Sequence, residues 1–224
     1  MSPVATLRTC YPEKFGVPRQ SGLVPAAWGV VEFLPAYRRV EAVRGIEAHS
    51  HLWLITQFHL IDEKSADTSF TVRPPRLGGN ERRGVYATRS PFRPNRLGLS
   101  VVKLERVDLE GPDAPRLWVS GVDLVNGTPV FDIKPYVPYA DSLPEATSQL
   151  AQEAPQPVPV RWAVENEPPL SEADRAIIEQ SIGLQPQPAY QDEAVRTYAA
   201  DLAGWDIRWR TEGTTQVIIQ CVRP

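Results

Sequence analysis

The chain has 224 residues, 42% of them hydrophobic, with 24 Lys+Arg against 27 Asp+Glu and a net charge of −3. The apolar share supports a real core and excludes a disordered chain, while the acidic balance argues against bulk coating of nucleic acid and leaves room for a local basic face. Twenty-three prolines, about twice the usual share, work against long helices and favour short strands with rigid loops.

MSPVATLRTC, at the N-terminus, lacks the apolar run of a signal peptide, and LWLITQFHLI is too short and polar to span a membrane, so a cytoplasmic setting is expected. Five runs then carry strand signals: GLVPAAWGVVEFL, SHLWLITQFHL, GLSVVKLERVDL, PRLWVSGVDLV and TPVFDIKPYV. Each is apolar or alternating and bounded by Gly, Pro or Asn, which suits a barrel or a sandwich over residues 1–140. In the second run, period two places His51 and His59 on one mixed face, roughly 26 Å apart on a straight strand, too far to serve one small site.

Residues 141–158 read as a connector to a second unit over 159–224. There PVRWAVE reads as a strand. SEADRAIIEQSIG reads as a helix with Ser171 as N-cap, acids in its first turn and Gly183 as its stop. QPQPAY reads as a rigid turn, and WDIRWRTEGTTQVIIQCV as a hairpin around Glu212-Gly213. Trp205, Ile207 and Trp209 share one strand face and read as core; Arg208 and Arg210 lie on the other with Asp206. Cys10 and Cys221 read as reduced structural thiols, and no metal site is expected.

One stretch resists assignment to a helix or strand. Residues 71–100, TVRPPRLGGNERRGVYATRSPFRPNRLGLS, hold seven arginines from Arg73 to Arg96, no lysine and one acid, Glu81. Its prolines fix φ and its glycines admit positive φ, so the segment can hold a non-repetitive shape, as binding loops do. Arginine offers a planar fork to carboxylate and phosphate and stacks on bases, which points to recognition of an anion. The plainer alternative is a solvated loop paired with surface acids.

VPRQ (17–20), EAVRGIEAHSHLWLITQFH (41–59), RPPRLGGNERRGVYATRSPFRPNRLGLS (73–100), DLVNGTPVFDIKPY (123–136) and QPQPAY (185–190) together resemble the TsaA-like family, and within it the members that methylate tRNA. The resemblance implies a mainly β fold with an α+β tail: a small β-barrel that binds S-adenosylmethionine, then a small α+β C-terminal domain. It implies methyl transfer to N6 of threonylcarbamoyladenosine beside the anticodon of tRNA, by a homodimer with the cofactor near its interface. The absence of a G-x-G-x-x-G opening a helix agrees with a non-Rossmann cofactor site. Methylation of another small anionic acceptor, or a regulatory module that binds S-adenosylmethionine without turnover, are the competing readings.

Carried over by position, the resemblance assigns the cofactor to Pro18, Arg19, Gln20, Phe58, His59, Arg89, Leu99 and the turn Asn126, Gly127, Thr128, Pro129. Asn126 stands where the family often has Asp, which puts a charge-based role there in doubt. Gln185 and Gln187 replace an acid and a base of the usual DPRPAY. The acceptor N6 is urea-like and keeps a hydrogen, so a base is needed. Asp132 leads, followed by His59 and Tyr136. The structural alternatives are a turn or salt-bridge acid with Lys134, a strand-end histidine, and a barrel-rim packing residue. Arg73, Arg76, Arg82, Arg89, Arg93 or Arg96 would clamp the threonyl carboxylate, and the others would meet anticodon-loop phosphates. Lys134, Tyr190, Arg208 and Arg210 complete the expected RNA contacts. A solvated strand face paired to Asp206 and Glu212 is the alternative for the last two arginines.

Overall fold

His51–Gln57 alternates strictly, with Leu52, Leu54 and Thr56 buried and the residues between them partly exposed, the pattern of a strand with one face on a core. It is one of six strands that close into an antiparallel barrel in this computed structural model, which describes residues 1–61, 70–74, 81–149, 151, 153–187 and 196–223. The barrel strands are β1 (Ala5–Thr9), β2 (Trp28–Phe33), β3 (His51–Gln57), β6 (Leu97–Asp108), β7 (Arg116–Ser120) and β8 (Thr128–Pro135). Their order around the barrel is β1-β2-β7-β6-β3-β8. The fold is therefore mainly β, and closure removes the exposed edges that an open sheet would carry.

β1 was not among the runs read as strands in the sequence. It pairs on both sides, Leu7 facing Val31 of β2 and Thr128 of β8. The two-residue strands β4 (Thr71–Val72) and β5 (Arg83–Gly84) pair with each other outside the barrel. A short helix, α1 (Pro138–Asp141), follows β8.

The C-terminal part is a four-stranded sheet in the order β10-β11-β12-β9 with one long helix. β9 (Val160–Trp162) runs parallel to β12 (Thr215–Val222), and β11 (Trp205–Glu212) forms the expected hairpin with β12. β10 (Thr197–Leu202), unread in the sequence, forms the sheet's outer strand beside β11. Helix α2 (Glu172–Gly183) starts as expected, with the Ser171 hydroxyl accepting from the Asp174 amide. It also stops where expected. Gly183 is the last helical residue, and the positive φ falls at Gln185. A Cβ on Gly183 would stand 3.2 Å from the Val158 carbonyl oxygen, so glycine there permits close passage of the incoming chain.

Trp205, Ile207 and Trp209 are buried, as their shared face predicts. The two parts share one hydrophobic core: Phe15 of the barrel part stacks on Trp209 at 5.8 Å, and the Tyr11 hydroxyl meets Ser181 Oγ of α2 at 3.1 Å. Both cysteines are buried and free, and burial pushes the Cys10 thiol up to about 12. No helix among the described residues is long and apolar enough to cross a membrane.

Candidate active-site cleft

A cleft of about 580 Å³ opens at one end of the barrel. Pro18, Arg19 and Gln20 reach it from the β1–β2 connection, Trp53 and Phe58 from β3 and its end, and Leu97 to Ser100 from β6. Asp123 and Leu124 enter after β7, and Tyr86, Arg89, Pro91, Arg93, Pro94 and Asn95 enter from the arginine stretch. The start of β6 can wall the cleft because Gly98 has no side chain. A Cβ there would lie 2.6 Å from Thr56 Oγ1 and 3.2 Å from the Phe58 ring.

The stretch from Val85 to Arg96 is built by its own hydrogen bonds. Thr88 Oγ1 donates to the Val85 carbonyl at 3.0 Å and accepts from the Ser90 amide at 3.3 Å, while Ser90 Oγ accepts from the Phe92 amide at 3.2 Å. Arg93 donates back to the Thr88 and Ser90 carbonyls at 3.3 and 3.5 Å. Arg96, at φ 52°, donates to the Ile61 carbonyl at 3.5 Å, and its own carbonyl accepts from the Phe58 amide at 2.9 Å. These two arginines thus brace the loop and tie it to the end of β3. Arg82 donates to Thr71 Oγ1 at 3.0 Å, and Arg83 pairs with Glu81 at 2.9 Å. Arg89 projects toward the PRQ loop and donates to the Gln20 side-chain oxygen.

Asp123 was not singled out by its residue pattern. Ser100 Oγ donates to its Oδ1 at 2.6 Å. Burial pushes its carboxyl up to about 6, against the opposing pull of the Ser100 hydroxyl, the backbone amides of Asp123 and Ser21, and the Arg89 guanidinium. The only signal in the sequence was its place at the head of DLVNGTPVFDIKPY.

A second cavity, about 560 Å³, is lined by Val72, Arg73, Pro74, Thr88, Ser90, Phe92 and Ala151, together with Arg19, Gln20, Arg89 and Pro91. The last four residues line both cavities. Two spaces thus meet across the hydrogen-bonded Arg89 and Gln20.

Other expected site residues stand elsewhere. Asn126 is a structural turn residue: its Oδ1 accepts from the Thr9 amide at 3.1 Å, and its amide donates to the Tyr11 carbonyl at 2.7 Å. Gly127 donates to the Leu7 carbonyl, Thr128 Oγ1 donates to the Val125 carbonyl, and Pro129 pairs with Thr6 in β8. His59 lies beside Gly127, and burial, aided by Lys14, holds its imidazole below the usual value. None of these lines either cavity. Asp132 lines a third cavity of about 420 Å³ with His49 and Ile133, and its carboxylate accepts from the next backbone amide at 2.9 Å. Tyr136 packs against Trp53 and His51 at ring separations of 5.9 and 6.4 Å. Lys134 is exposed opposite Trp53.

Arg208 and Arg210 project from β11 and pair with Asp206 at 3.8 Å and Glu212 at 2.6 Å, while Arg161 also meets Glu212 at 2.8 Å. Gln187, which stands where the family motif carries a base, is buried against Gln216. Arg76 and Tyr190 lie outside the described residues.

Residues 6–142 match the family model described as tRNA-methyltransferase O N-terminal domain, and residues 155–224 match the TrmO C-terminal domain. The chain is 44% identical over 216 residues to the tRNA (adenine(37)-N6)-methyltransferase of Escherichia coli K12, covering 92% of this chain and 91% of that one. It is 45% identical over 218 residues to the "Putative S-adenosylmethionine-dependent methyltransferase RcsF" of Pseudomonas aeruginosa, covering 93% and 91%. A crystal structure of TrmO from Pseudomonas aeruginosa superposes with a TM-score of 0.74 at 35% identity, covering 99% of this chain and 96% of that one.

Proposed function

The chain belongs to the tRNA-methyltransferase O family, and from that premise we propose that its two adjoining cavities hold the methyl donor and a threonylcarbamoyl-modified adenosine. The enzyme is an S-adenosylmethionine-dependent tRNA methyltransferase acting on N6 of adenine 37. The observation that carries the finer reading is the pair of cavities sharing Arg19, Gln20, Arg89 and Pro91.

The residues of the 580 Å³ cleft fit the donor. Phe58, Leu97 and Leu99 supply apolar walls for a nucleoside, while arginines and Asp123 supply both signs of charge for a zwitterionic tail. When bound, S-adenosylmethionine supplies a methyl group already activated on sulfur. The chain must then align the acceptor at near-attack distance and exclude water, a task that suits a loop braced by Arg93, Arg96 and two prolines, Pro91 and Pro94. In the second cavity Arg73 clamps the threonyl carboxylate and Phe92 packs on the base.

A homodimer is the assembly this reading uses. Leu99, Ile55 and Asp132 are cross-strand neighbours on the outer face of β6, β3 and β8, with Val101, Trp53 and Lys134 in the next row. Leu97 and Leu99 are exposed there and continue into the cleft. An exposed apolar patch of this kind marks an interface. A second subunit on that face would bring Asp132 and Tyr136 toward a cleft mouth, where Asp132 takes the N6 proton as methyl transfer proceeds. His59, whose basicity burial depresses, is neutral near pH 7 and is the next candidate.

The test uses the purified protein, S-adenosylmethionine and two tRNA pools, one carrying threonylcarbamoyladenosine and one lacking it. Nucleoside mass spectrometry should show one added methyl in the modified pool alone. Equal methylation of both pools would overturn the threonylcarbamoyl reading, and methylation of neither would favour a different acceptor or a binding module.

A further inference from the structure

We propose that Asp123 is the counter-charge for the sulfonium of the methyl donor, so that the cleft holds the donor more tightly than the demethylated product. The inference rests on the reading of this cleft as the donor site. Among the described residues lining the cleft, the charged side chains are Arg19, Arg89, Arg93 and Asp123. Three fixed cations face one anion. Without Asp123, a ligand bearing a sulfonium would enter a field of its own sign, which disfavours binding.

The hydrogen bonding of Asp123 leaves its charge available to a ligand. A carboxylate has about four acceptor positions. Here the Ser100 hydroxyl donates to Oδ1 at 2.6 Å. The negative charge remains, and a sulfonium, having no N–H or O–H, interacts with it through Coulomb attraction alone. Methyl transfer breaks the S–CH3 bond and leaves a neutral thioether, so the attraction vanishes with the reaction. The same carboxylate that holds the donor then releases the product.

The experiment is calorimetric titration of wild-type, Asp123→Asn and Ser100→Ala proteins with S-adenosylmethionine and, separately, S-adenosylhomocysteine. Thermal melts verify that each variant is folded. Asp123→Asn should weaken the donor by about tenfold or more, a loss of one good charge contact, while leaving the product within about threefold of wild type. Ser100→Ala keeps the charge and should keep the preference for donor over product, which holds the idea open to test even if Asp123→Asn fails to fold. Equal weakening of both ligands would overturn the proposal, as would a Ser100→Ala protein that binds donor and product alike. Unchanged donor binding with lost turnover would overturn it in favour of Asp123 as the base. A wild-type protein that binds neither ligand would instead sink the donor-site reading itself.

Discussion

Ionised Asp123 is held in the folded chain against its own solvation. Its folded-state value of about 6 lies above the ordinary aspartate value of 3.8, chiefly through burial. The folded chain therefore keeps a proton that the unfolded chain has released, and stability falls as pH rises between those two values. At about 1.36 kcal/mol per pK unit, the burden above pH 6 is about 3 kcal/mol at most, because the side chain keeps some access to cleft water. Asp123→Asn should consequently raise the melting temperature at pH 7.5 by several degrees, with the gain fading toward pH 4. Calorimetric melts across that range measure it, and a variant less stable than wild type at pH 7.5 would contradict the assignment. A carboxylate kept at this cost in a cleft is the mark of a functional group. The same scale separates the arginines. Arg93 and Arg96 direct donors to backbone carbonyls, Arg93 also lining the cleft, whereas Arg89 bonds the Gln20 side chain and Arg73 lines the second cavity.

At the level of elements, the cleft depends on how the start of β6 meets the end of β3. Gly98 faces Thr56 across the ladder, and Phe58 follows directly. Adding one methyl at Gly98 would drive the Phe58 ring or the Thr56 hydroxyl away, and overpacking of this kind costs about 1–3 kcal/mol. Gly98→Ala should lower stability by that order and weaken donor binding, because Phe58 walls the cleft. Chemical denaturation and calorimetric titration of the variant check both effects, and full donor affinity in a destabilised protein would separate Phe58 from the donor. The arginine loop is the second element on which the site depends. Its shape comes from Thr88, Ser90, Arg93 and Arg96 bonding to nearby backbone, in place of any repeating ladder. Its non-repetitive shape was legible from proline and glycine content. Which arginines brace it and which face the cavities was not, because that depends on the path of the backbone.

Across the whole molecule, one core joins the barrel to the C-terminal sheet through Phe15 on Trp209 and Tyr11 on Ser181. The apolar row of Leu97, Leu99 and Val101 beside Ile55 and Trp53 stands outside that core and borders the cleft. Under the dimer reading, Leu99→Glu places a charge in the interface. It should shift the protein from dimer to monomer in sedimentation velocity, by a factor of about ten or more in the dissociation constant, and reduce methylation with it. A Leu99→Glu protein that sediments as wild type does would assign that face to solvent.

The strand content, the Ser171 cap, the buried Trp205–Ile207–Trp209 row and the 205–222 hairpin were all legible because each follows from local periodicity or turn chemistry. The long motifs identified the family, since their order and odd composition need no folding to be recognised. The sequence could not reveal that Asn126 would spend its side chain on Thr9, that Asp132 would line a different cavity from Arg89, or that Asp123 would meet Ser100. Those facts join residues far apart in the chain, and barrel closure and register decide them. Residue chemistry determined that an arginine-rich, proline-stiffened, irregular loop would exist. Only the tertiary structure decided that Asp123 would be the carboxylate lining the cleft beside Arg89, because burial and electrostatic field belong to the assembled cleft and to no segment of the chain.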